Sequence, residues 1–286
     1  WQGFFIFSKF FNRGNLANII LYFYWYFVCS FIGKICKQTL KEKKQFGLLG
    51  RNIDYSFSRS YFNNKFSSDK KLSNYEYVNF DIEIIEEVTD VFSRRNLYGL
   101  NVTIPYKESI MNYLDKVDNL ALEIGAVNTI CFKNEKKIGY NTDILGFEKT
   151  LETNNISSFK SVLILGSGGA SKTVEYYCKK NNLSYKIISR NKKDNYLSYN
   201  DLDENILSDS ALIVNCTPLG TYPNIYSAPD LPYDTINSKS IFFDLVYNPK
   251  ETLFMKKGIE IGCLAINGYE MLKFQAEESW NLWHKK

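Results

Sequence analysis

The chain has 286 residues, 45% of them hydrophobic, so it is long enough for two domains with apolar cores and is not a disordered protein. Its formal net charge of +4 is unevenly placed, because residues 1–45 carry seven basic side chains and one acidic one. The rest of the chain is slightly acidic, which excludes the basic signature of a nucleic-acid-binding protein.

Residues 1–44 form a segment with its own composition. Residues 14–33 are uncharged, and an apolar helix of that length can cross a bilayer. Basic residues are denser after the stretch than before it, which would leave the body of the protein in the cytoplasm. However, two asparagines interrupt the stretch, and no methionine precedes Met111. The favoured interpretation is an extension that is translated or artefactual and lies outside the working fold, and the alternative is a membrane or signal-like helix.

From Gln45 onward, the hydrophobic pattern alternates between strands and helices. Strands are predicted over residues 46–50, 75–82, 98–103, 127–132, 162–165, 185–188, 211–220, 240–252 and 258–266. Helices are predicted over residues 58–66, 82–94, 141–152 and 269–283, after the glycines near residue 168, and from Pro105, which is permitted in a first helical turn. The alternation predicts an α/β architecture with a largely parallel sheet.

The segment VLILGSGGASKTVEYY, residues 162–177, joins an apolar strand to a helix through a glycine-rich turn. Such a turn presents backbone N–H groups and a helix N-terminus to a phosphate, which predicts a nucleotide site. Gly166 would allow the tight turn, Gly168 would let the backbone approach a diphosphate, and Gly169 with Ala170 would let helix and strand pack closely. The alternative is a turn of the same kind without a ligand.

The next predicted strand ends in Ser189, Arg190 and Asn191, with no carboxylate at its tip. An NAD site usually carries an acidic residue there, whereas an arginine can pair with the 2'-phosphate of NADP. The tip therefore indicates NADP, and the alternative is a solvated basic turn.

The sequence contains few residues in an arrangement that could bind a metal ion. The six cysteines are dispersed, with no C-x-x-C pair, and this is typical of small apolar residues in a reducing compartment. The one histidine is His284, close to the end of the chain. No metal is expected.

Eight motifs in order carry a resemblance to a known family. They are NIDYSFSRS, NVTIPYKE, GAVNT, GYNTDILGF, LGSGGASK, NCTPLG, DLVYNP and NGYEMLKFQAE. With them, residues 46–283 resemble the NADP-dependent shikimate dehydrogenases. The resemblance implies a substrate-binding catalytic domain over residues 45–142 and 268–286, and a Rossmann-type, doubly wound NADP-binding domain over residues 143–267. It also implies that the C-terminal helix returns to the substrate domain.

The resemblance implies that Lys107 and Asp143 are the catalytic pair. A ketone that receives a hydride develops negative charge on its oxygen, and a nearby ammonium can stabilise or protonate that oxygen. Taken alone, Lys107 would be interpreted as a surface lysine in the first turn of a helix, and Asp143 as the N-cap of a helix that begins at Ile144.

The same resemblance implies two sets of binding residues. Hydrogen bonds to the substrate are expected from Ser56, Ser58, Thr103, Asn128, Tyr247 and Gln275. Contacts to the cofactor are expected from Gly166, Gly168, Gly169, Ala170, Ser189, Arg190, Asn191, Thr217, Leu219, Gly268 and Met271. The chain departs from the family pattern at Tyr55, Arg59, Ser189 and Glu270, none of which is a catalytic position.

Taken together, these features predict a cytoplasmic enzyme that reduces 3-dehydroshikimate to shikimate with NADPH, in aromatic amino-acid biosynthesis. A quinate/shikimate dehydrogenase of broader specificity and a non-catalytic shikimate-binding regulator remain alternatives, and retention of Lys107 and Asp143 disfavours the regulator. A membrane-tethered reductase would differ only in residues 1–44. No nucleic-acid partner is expected, and either a monomer or a homodimer is compatible with the sequence.

Overall fold

A computed structural model describes Tyr24, Tyr26, Val28 and residues 43–285, apart from Tyr55, residues 191–195 and Ser210. Most of the predicted extension, including most of residues 14–33, lies outside the described residues. Among the residues that are described, no helix is long and apolar enough to cross a bilayer. Contacts divide the chain into Trp1–Lys43 and Lys44–Lys286, and the second unit holds every element below.

The strands of this unit belong to two sheets. They are β1 (Lys44–Gly50), β2 (Tyr75–Asp81), β3 (Leu97–Val102), β4 (Lys116–Val117), β5 (Thr129–Lys133), β6 (Lys136–Tyr140), β7 (Ser161–Leu165), β8 (Ser184–Ile188), β9 (Leu212–Asn215), β10 (Ile241–Asp244) and β11 (Leu264–Asn267). The α-helices are α1 (Phe57–Ser68), α2 (Val88–Phe92), α3 (Asn119–Ile124), α4 (Asp143–Thr153), α5 (Gly169–Lys180), α6 (Glu204–Ser208), α7 (Leu253–Glu260) and α8 (Tyr269–His284).

The first sheet has the order β2-β1-β3-β5-β6-β4 and is mixed, with three parallel and two antiparallel strand pairs. Strands β1, β2 and β3 are parallel, whereas β5 is antiparallel to both β3 and β6. The antiparallel pairing of β5 with β6 follows from the turn between them, where Asn134 and Glu135 both have positive φ angles, of 50° and 63°. A two-residue turn of that kind joins only antiparallel strands.

The second sheet has the order β11-β10-β9-β7-β8, and all its strand pairs are parallel. Its inner strands are apolar on both faces, as expected for a sheet covered by helices on each side, and Leu163, Ile164 and Ile213 are fully buried. Along the chain, β8 is added on one side of β7, and the following strands β9 to β11 are added on its other side, so the direction of strand addition reverses. In a doubly wound fold, ligands bind beyond the carboxyl ends of the strands at such a reversal, which lies here between β7 and β9.

The closing helix α8 packs on the first sheet. The Trp283 indole nitrogen donates a hydrogen bond to the Ile130 carbonyl of β5 at 3.0 Å, and the Trp283 ring lies 4.8 Å from the Phe46 ring of β1. Ala276, earlier in the same helix, is buried in the same cluster as Phe62 of α1. The predicted return of the C-terminal helix to the first sheet, and the predicted two-part α/β fold, are therefore confirmed.

Two predicted helices of the first half are wrong or shorter than expected. No helix begins at Pro105, because the segment after it is held by distant partners: Val127 N donates to Lys107 O at 2.8 Å, and the Tyr106 hydroxyl donates to Ile82 O at 2.8 Å. A 3-10 helix begins only at Ser109–Tyr113. Within the predicted helix over residues 82–94, the α-helical part is only the short α2, which follows a 3-10 turn at Ile85–Glu87.

The predicted strand over residues 258–266 is also wrong in its first half, where α7 extends to Glu260. The Thr252 hydroxyl caps this helix by accepting a hydrogen bond from Met255 N at 3.2 Å. A Cβ atom on Gly258 would lie 2.7 Å from the Phe242 ring, so glycine allows α7 to lie directly on the sheet. The predicted strands 211–220 and 240–252 are each reduced to four residues, β9 and β10, followed by long loops.

Candidate active site

A cavity of about 230 Å³ lies at the carboxyl ends of the strands, with walls from both sheets. It brings together both predicted catalytic residues and all six predicted substrate-binding residues. Those residues are Lys107, Asp143, Ser56, Ser58, Thr103, Asn128, Tyr247 and Gln275. Four predicted cofactor-binding residues line it as well, namely Ala170, Thr217, Gly268 and Met271.

Lys107 and Asp143 form an ion pair in this cavity. The Lys107 ammonium lies 2.6 Å from Asp143 Oδ2, and the two side chains are 15% and 8% exposed. Asp143 is the first residue of α4, and Thr142 is the N-cap, so the interpretation of Asp143 as an N-cap is wrong by one residue. A carboxylate in a first helical turn interacts favourably with the free N–H groups there.

Asn128 fixes the second oxygen of Asp143. Its Nδ2 atom donates to Asp143 Oδ1 at 2.8 Å, and its Oδ1 atom accepts a hydrogen bond from Thr142 N at 2.7 Å. The same Nδ2 atom lies 3.4 Å from Gln275 Oε1 of α8. Each Asp143 oxygen therefore has a dedicated donor, and the carboxylate faces Lys107 in one orientation.

Behind this pair lies a buried polar network that the sequence did not single out. The Asn101 amide donates to the Ser279 hydroxyl at 2.8 Å and accepts from the Tyr77 hydroxyl at 2.9 Å. Ser279 also lies 2.8 Å from the Thr129 hydroxyl, and 3.2 Å from that of Thr142. Burial raises the pKa of Tyr77 well above its usual range, so it stays a neutral donor. A polar residue two positions before Thr103, on the same face of β3, was the available signal for Asn101.

Replacing Ser279 by alanine is expected to lower the free energy of unfolding by about 1–3 kcal/mol, because the buried Asn101 and Thr129 groups lose a partner. Urea unfolding measures this change. Ser67 on the exposed side of α1 is the matched control, and its replacement by alanine is expected to change stability by less than about 0.5 kcal/mol. Equal stability of the two variants would contradict a structural contribution from the network.

The glycine-rich turn lies beside the cavity. Gly166 has a φ of 111°, which L side chains rarely adopt, so the predicted tight turn is present. Gly168 is the N-cap of α5, and nothing in the described structure lies within 4 Å of a Cβ atom built on it. This open space in front of a helix N-terminus fits a diphosphate.

Gly169 lies against Lys107, whereas the sequence predicts that it lies against the preceding strand. A Cβ atom on Gly169 would lie 2.8 Å from Lys107 Cβ and 3.2 Å from its Cδ, so the residue allows the turn to approach Lys107 rather than the strand. The turn and Lys107 are therefore in direct contact.

The remaining predicted cofactor residues lie outside the cavity lining. Ser189 follows β8, and its hydroxyl lies 3.0 Å from that of Ser167 in the glycine-rich turn. Arg190 is exposed at the same strand tip, and Asn191 lies outside the described residues. Leu219 N donates to the Thr217 hydroxyl at 3.2 Å, one residue beyond the lining residue Pro218. The contact between Ser167 and Ser189 places this strand tip next to the glycine-rich turn.

Comparison with known proteins agrees with this geometry. Residues 48–130 match the family model described as "Shikimate dehydrogenase substrate binding domain". The chain is 40% identical over 259 residues to a "Shikimate dehydrogenase (NADP(+))" of Methanococcus maripaludis, covering 85% of this chain and 92% of that protein. It is 39% identical over 247 residues to the protein of the same name from Clostridium botulinum, covering 83% of this chain and 95% of that one.

A solved structure is similar over the same region. Shikimate 5-dehydrogenase of Thermus thermophilus, in complex with NADP(H) and shikimate, is 26% identical, with a TM-score of 0.74 over 85% of this chain and 94% of that one. The resemblance drawn from the motifs is thereby confirmed. The chain belongs to the shikimate dehydrogenase family.

Proposed function

We propose that the chain catalyses the reversible NADPH-dependent reduction of 3-dehydroshikimate to shikimate. The observation that carries this proposal is the Lys107–Asp143 pair, 2.6 Å apart in a cavity next to the glycine-rich turn. A non-catalytic binding protein has no need of an ammonium and a carboxylate held together at the place where the cofactor edge meets the substrate cavity.

The chemistry assigned to Lys107 follows from its charge. NADPH, when bound, supplies the hydride. Lys107 stabilises the developing negative charge on the carbonyl oxygen and passes a proton to it. Asp143, fixed by Asn128, holds the Lys107 ammonium in place. In the reverse direction Lys107 accepts the proton from the substrate hydroxyl.

The substrate is a small acid with several hydroxyl groups, and the cavity supplies matching partners. Ser56 lines the cavity and is the N-cap residue of α1, and a carboxylate is favoured at a helix N-terminus. Ser58, in the first turn of the same helix, is buried in the same wall. The proposal assigns the substrate carboxylate to these serines with Thr103 and Tyr247, and the ring hydroxyls to Asn128 and Gln275.

On the cofactor side, the proposal assigns the diphosphate to the turn that contains Gly168, and the 2'-phosphate to Arg190 with Ser189 and Asn191. Thr217, Leu219, Gly268 and Met271 would follow the path toward the nicotinamide. Residues 45–142 with 268–286 would form the substrate domain and residues 143–267 the cofactor domain. The buried clusters around Leu100 and Phe62 lie within the first and the cluster around Leu163 lies within the second, whereas Ile124 and Ala126 pack with Ile144 across the proposed boundary. A cytoplasmic location and a monomeric or homodimeric state remain predictions.

The test is a spectrophotometric assay of NADPH oxidation with 3-dehydroshikimate, followed by NADP+ reduction with shikimate and with quinate. Turnover with 3-dehydroshikimate and shikimate is expected. Comparable kcat/KM values for quinate would favour a quinate/shikimate dehydrogenase. No turnover with any of the three, by a folded protein that binds NADPH, would contradict the proposal and support a binding protein.

The cofactor preference depends on Arg190. Replacing Arg190 by alanine is expected to raise the KM for NADPH by about tenfold or more, because a charge-assisted contact to the 2'-phosphate is lost. The KM for NADH should change little. Lys186, an exposed cation on the same strand, is the matched control for loss of surface charge. If both variants shift the KM for NADPH equally, or if the wild type uses NADH as well as NADPH, Arg190 does not read the phosphate.

A further inference from the structure

Asp244 is a buried carboxyl group that the proposed reaction does not use. It is the last residue of β10 and is fully buried, and this burial raises its pKa to about 7. A carboxylate in such a place costs free energy unless its oxygens are matched by donors. Its three donors come from three different segments of the chain.

The two oxygens of Asp244 have separate tasks. Oδ1 accepts hydrogen bonds from Asn215 Nδ2 at 2.9 Å and from Val246 N at 3.0 Å, which joins the end of β9 to the loop after β10. Oδ2 accepts from the Thr252 hydroxyl, which caps α7. Oδ1 therefore links the two loops to each other, whereas Oδ2 links Asp244 to the N-terminus of α7.

The bond to Asn215 continues into the cavity wall. Asn215 Oδ1 accepts from the Thr217 hydroxyl at 2.6 Å and from Thr217 N at 3.0 Å. The Thr217 hydroxyl in turn accepts from Leu219 N at 3.2 Å. Both linked loops line the cavity, the first through Cys216, Thr217, Pro218 and Thr221, and the second through Leu245, Val246, Tyr247 and Asn248.

We propose that Asp244 is a positioning residue for cofactor binding: its Oδ1 atom ties the two loops after β9 and β10 together and thereby sets the place of Thr217 in the cavity. The cofactor site that Asp244 would support rests on the proposed function. Asp244 itself is buried behind the loops, so it acts through Asn215 and Val246 without touching a ligand. An aspartate suits this task because its Oδ1 atom can accept from two donors while its Oδ2 atom contacts the Thr252 hydroxyl.

The experiment measures the Kd of NADPH from its fluorescence, together with kcat and both KM values. Asp244→Ala and Asn215→Ala are each expected to raise the Kd of NADPH by about tenfold, and the double variant by no more than the larger single effect, since both residues lie in one chain of hydrogen bonds from Asp244 to Thr217. At saturating NADPH, kcat should stay within about threefold of the wild-type value, because Lys107 and Asp143 are untouched.

Two further variants separate positioning from general stability. Asp244→Asn keeps an oxygen that can occupy the Oδ1 position, so it should bind NADPH within about threefold of the wild-type affinity. Thr252→Val removes the Oδ2 contact and the cap bond from Met255 N but leaves the Oδ1 contacts in place, so it should lower the melting temperature while leaving the Kd unchanged. If Asp244→Ala fails to fold, Asn215→Ala tests the same link from its other end.

The proposal is overturned if Asn215→Ala binds NADPH like the wild type, if the two alanine variants are additive, or if Thr252→Val weakens NADPH as much as they do. The last result would assign Asp244 a purely structural role. Because the Kd is measured without 3-dehydroshikimate, a wild-type protein that binds NADPH but does not reduce this substrate would contradict the proposed function alone.

Discussion

Replacement of Lys107 by alanine is expected to lower kcat for 3-dehydroshikimate reduction by about 10²–10⁴-fold, the range found when a positioned proton donor is removed. The carbonyl oxygen would then develop its charge without an adjacent ammonium. Ser56, Ser58 and Gln275 remain in the cavity, so the substrate should still bind with a KM within about tenfold of the wild-type value. Steady-state kinetics and titration of substrate binding test the two parts separately.

The control for this variant is Lys116→Ala, which removes an exposed lysine of β4 that is not among the residues lining the cavity. Circular dichroism must show that both variants keep the fold, because Asp143 loses its ionic partner in the first. The hydrogen bond from Asn128 still holds one Asp143 oxygen, which limits that loss. If kcat of the folded Lys107→Ala protein stays within about threefold of the wild-type value, Lys107 is not the proton donor.

Local patterns were sufficient for the parts of the fold that local interactions decide. The apolar run before Gly166 and the amphipathic segment after it predict β7 and α5, and both form where expected. The first strand begins at Lys44, two residues before its predicted start, because main-chain bonds to neighbouring segments extend it. Such extensions depend on partners that a single segment does not reveal.

Segments held by distant partners could not be predicted from their own residues. Pro105 is compatible with a helix, but Lys107 O is committed to Val127 N, and Tyr106 reaches Ile82. Around Pro105, tertiary hydrogen bonds therefore override a local preference. The antiparallel pair β5–β6 of the first sheet has a local cause instead, the positive φ angles of Asn134 and Glu135.

The site shows the same division. Periodicity alone assigned Lys107 to a helical surface and Asp143 to a cap, and only the family resemblance brought them together in the prediction. The buried polar residues Ser279 and Asp244 carried no distinguishing pattern, because polar residues in a strand or a helix are usually exposed. Their roles emerge only from the donors and acceptors that surround them.

Gly169 provides the second test of the site, since its lack of a side chain is what lets the glycine-rich turn touch Lys107. Gly169→Ala is expected to lower kcat by about 10²-fold, because a methyl group 2.8 Å from Lys107 Cβ must displace the lysine or the turn, and a misplacement near 1 Å is costly in a reacting geometry. Helix propensity should not lower the stability of this variant, because alanine favours the first turn of α5 more than glycine does.

Gly168→Ala is the matched variant, one residue earlier in the same turn. Its backbone has a φ of −91°, which alanine adopts freely, and its Cβ would enter open space within the described structure. The protein should therefore keep its fold and its Lys107 geometry, but the methyl group would occupy the space proposed for the diphosphate and raise the KM for NADPH. Loss of kcat in Gly169→Ala and loss of NADPH affinity in Gly168→Ala would assign adjacent glycines to different steps. A Gly169→Ala variant with wild-type kcat would mean that Lys107 does not depend on contact with the turn.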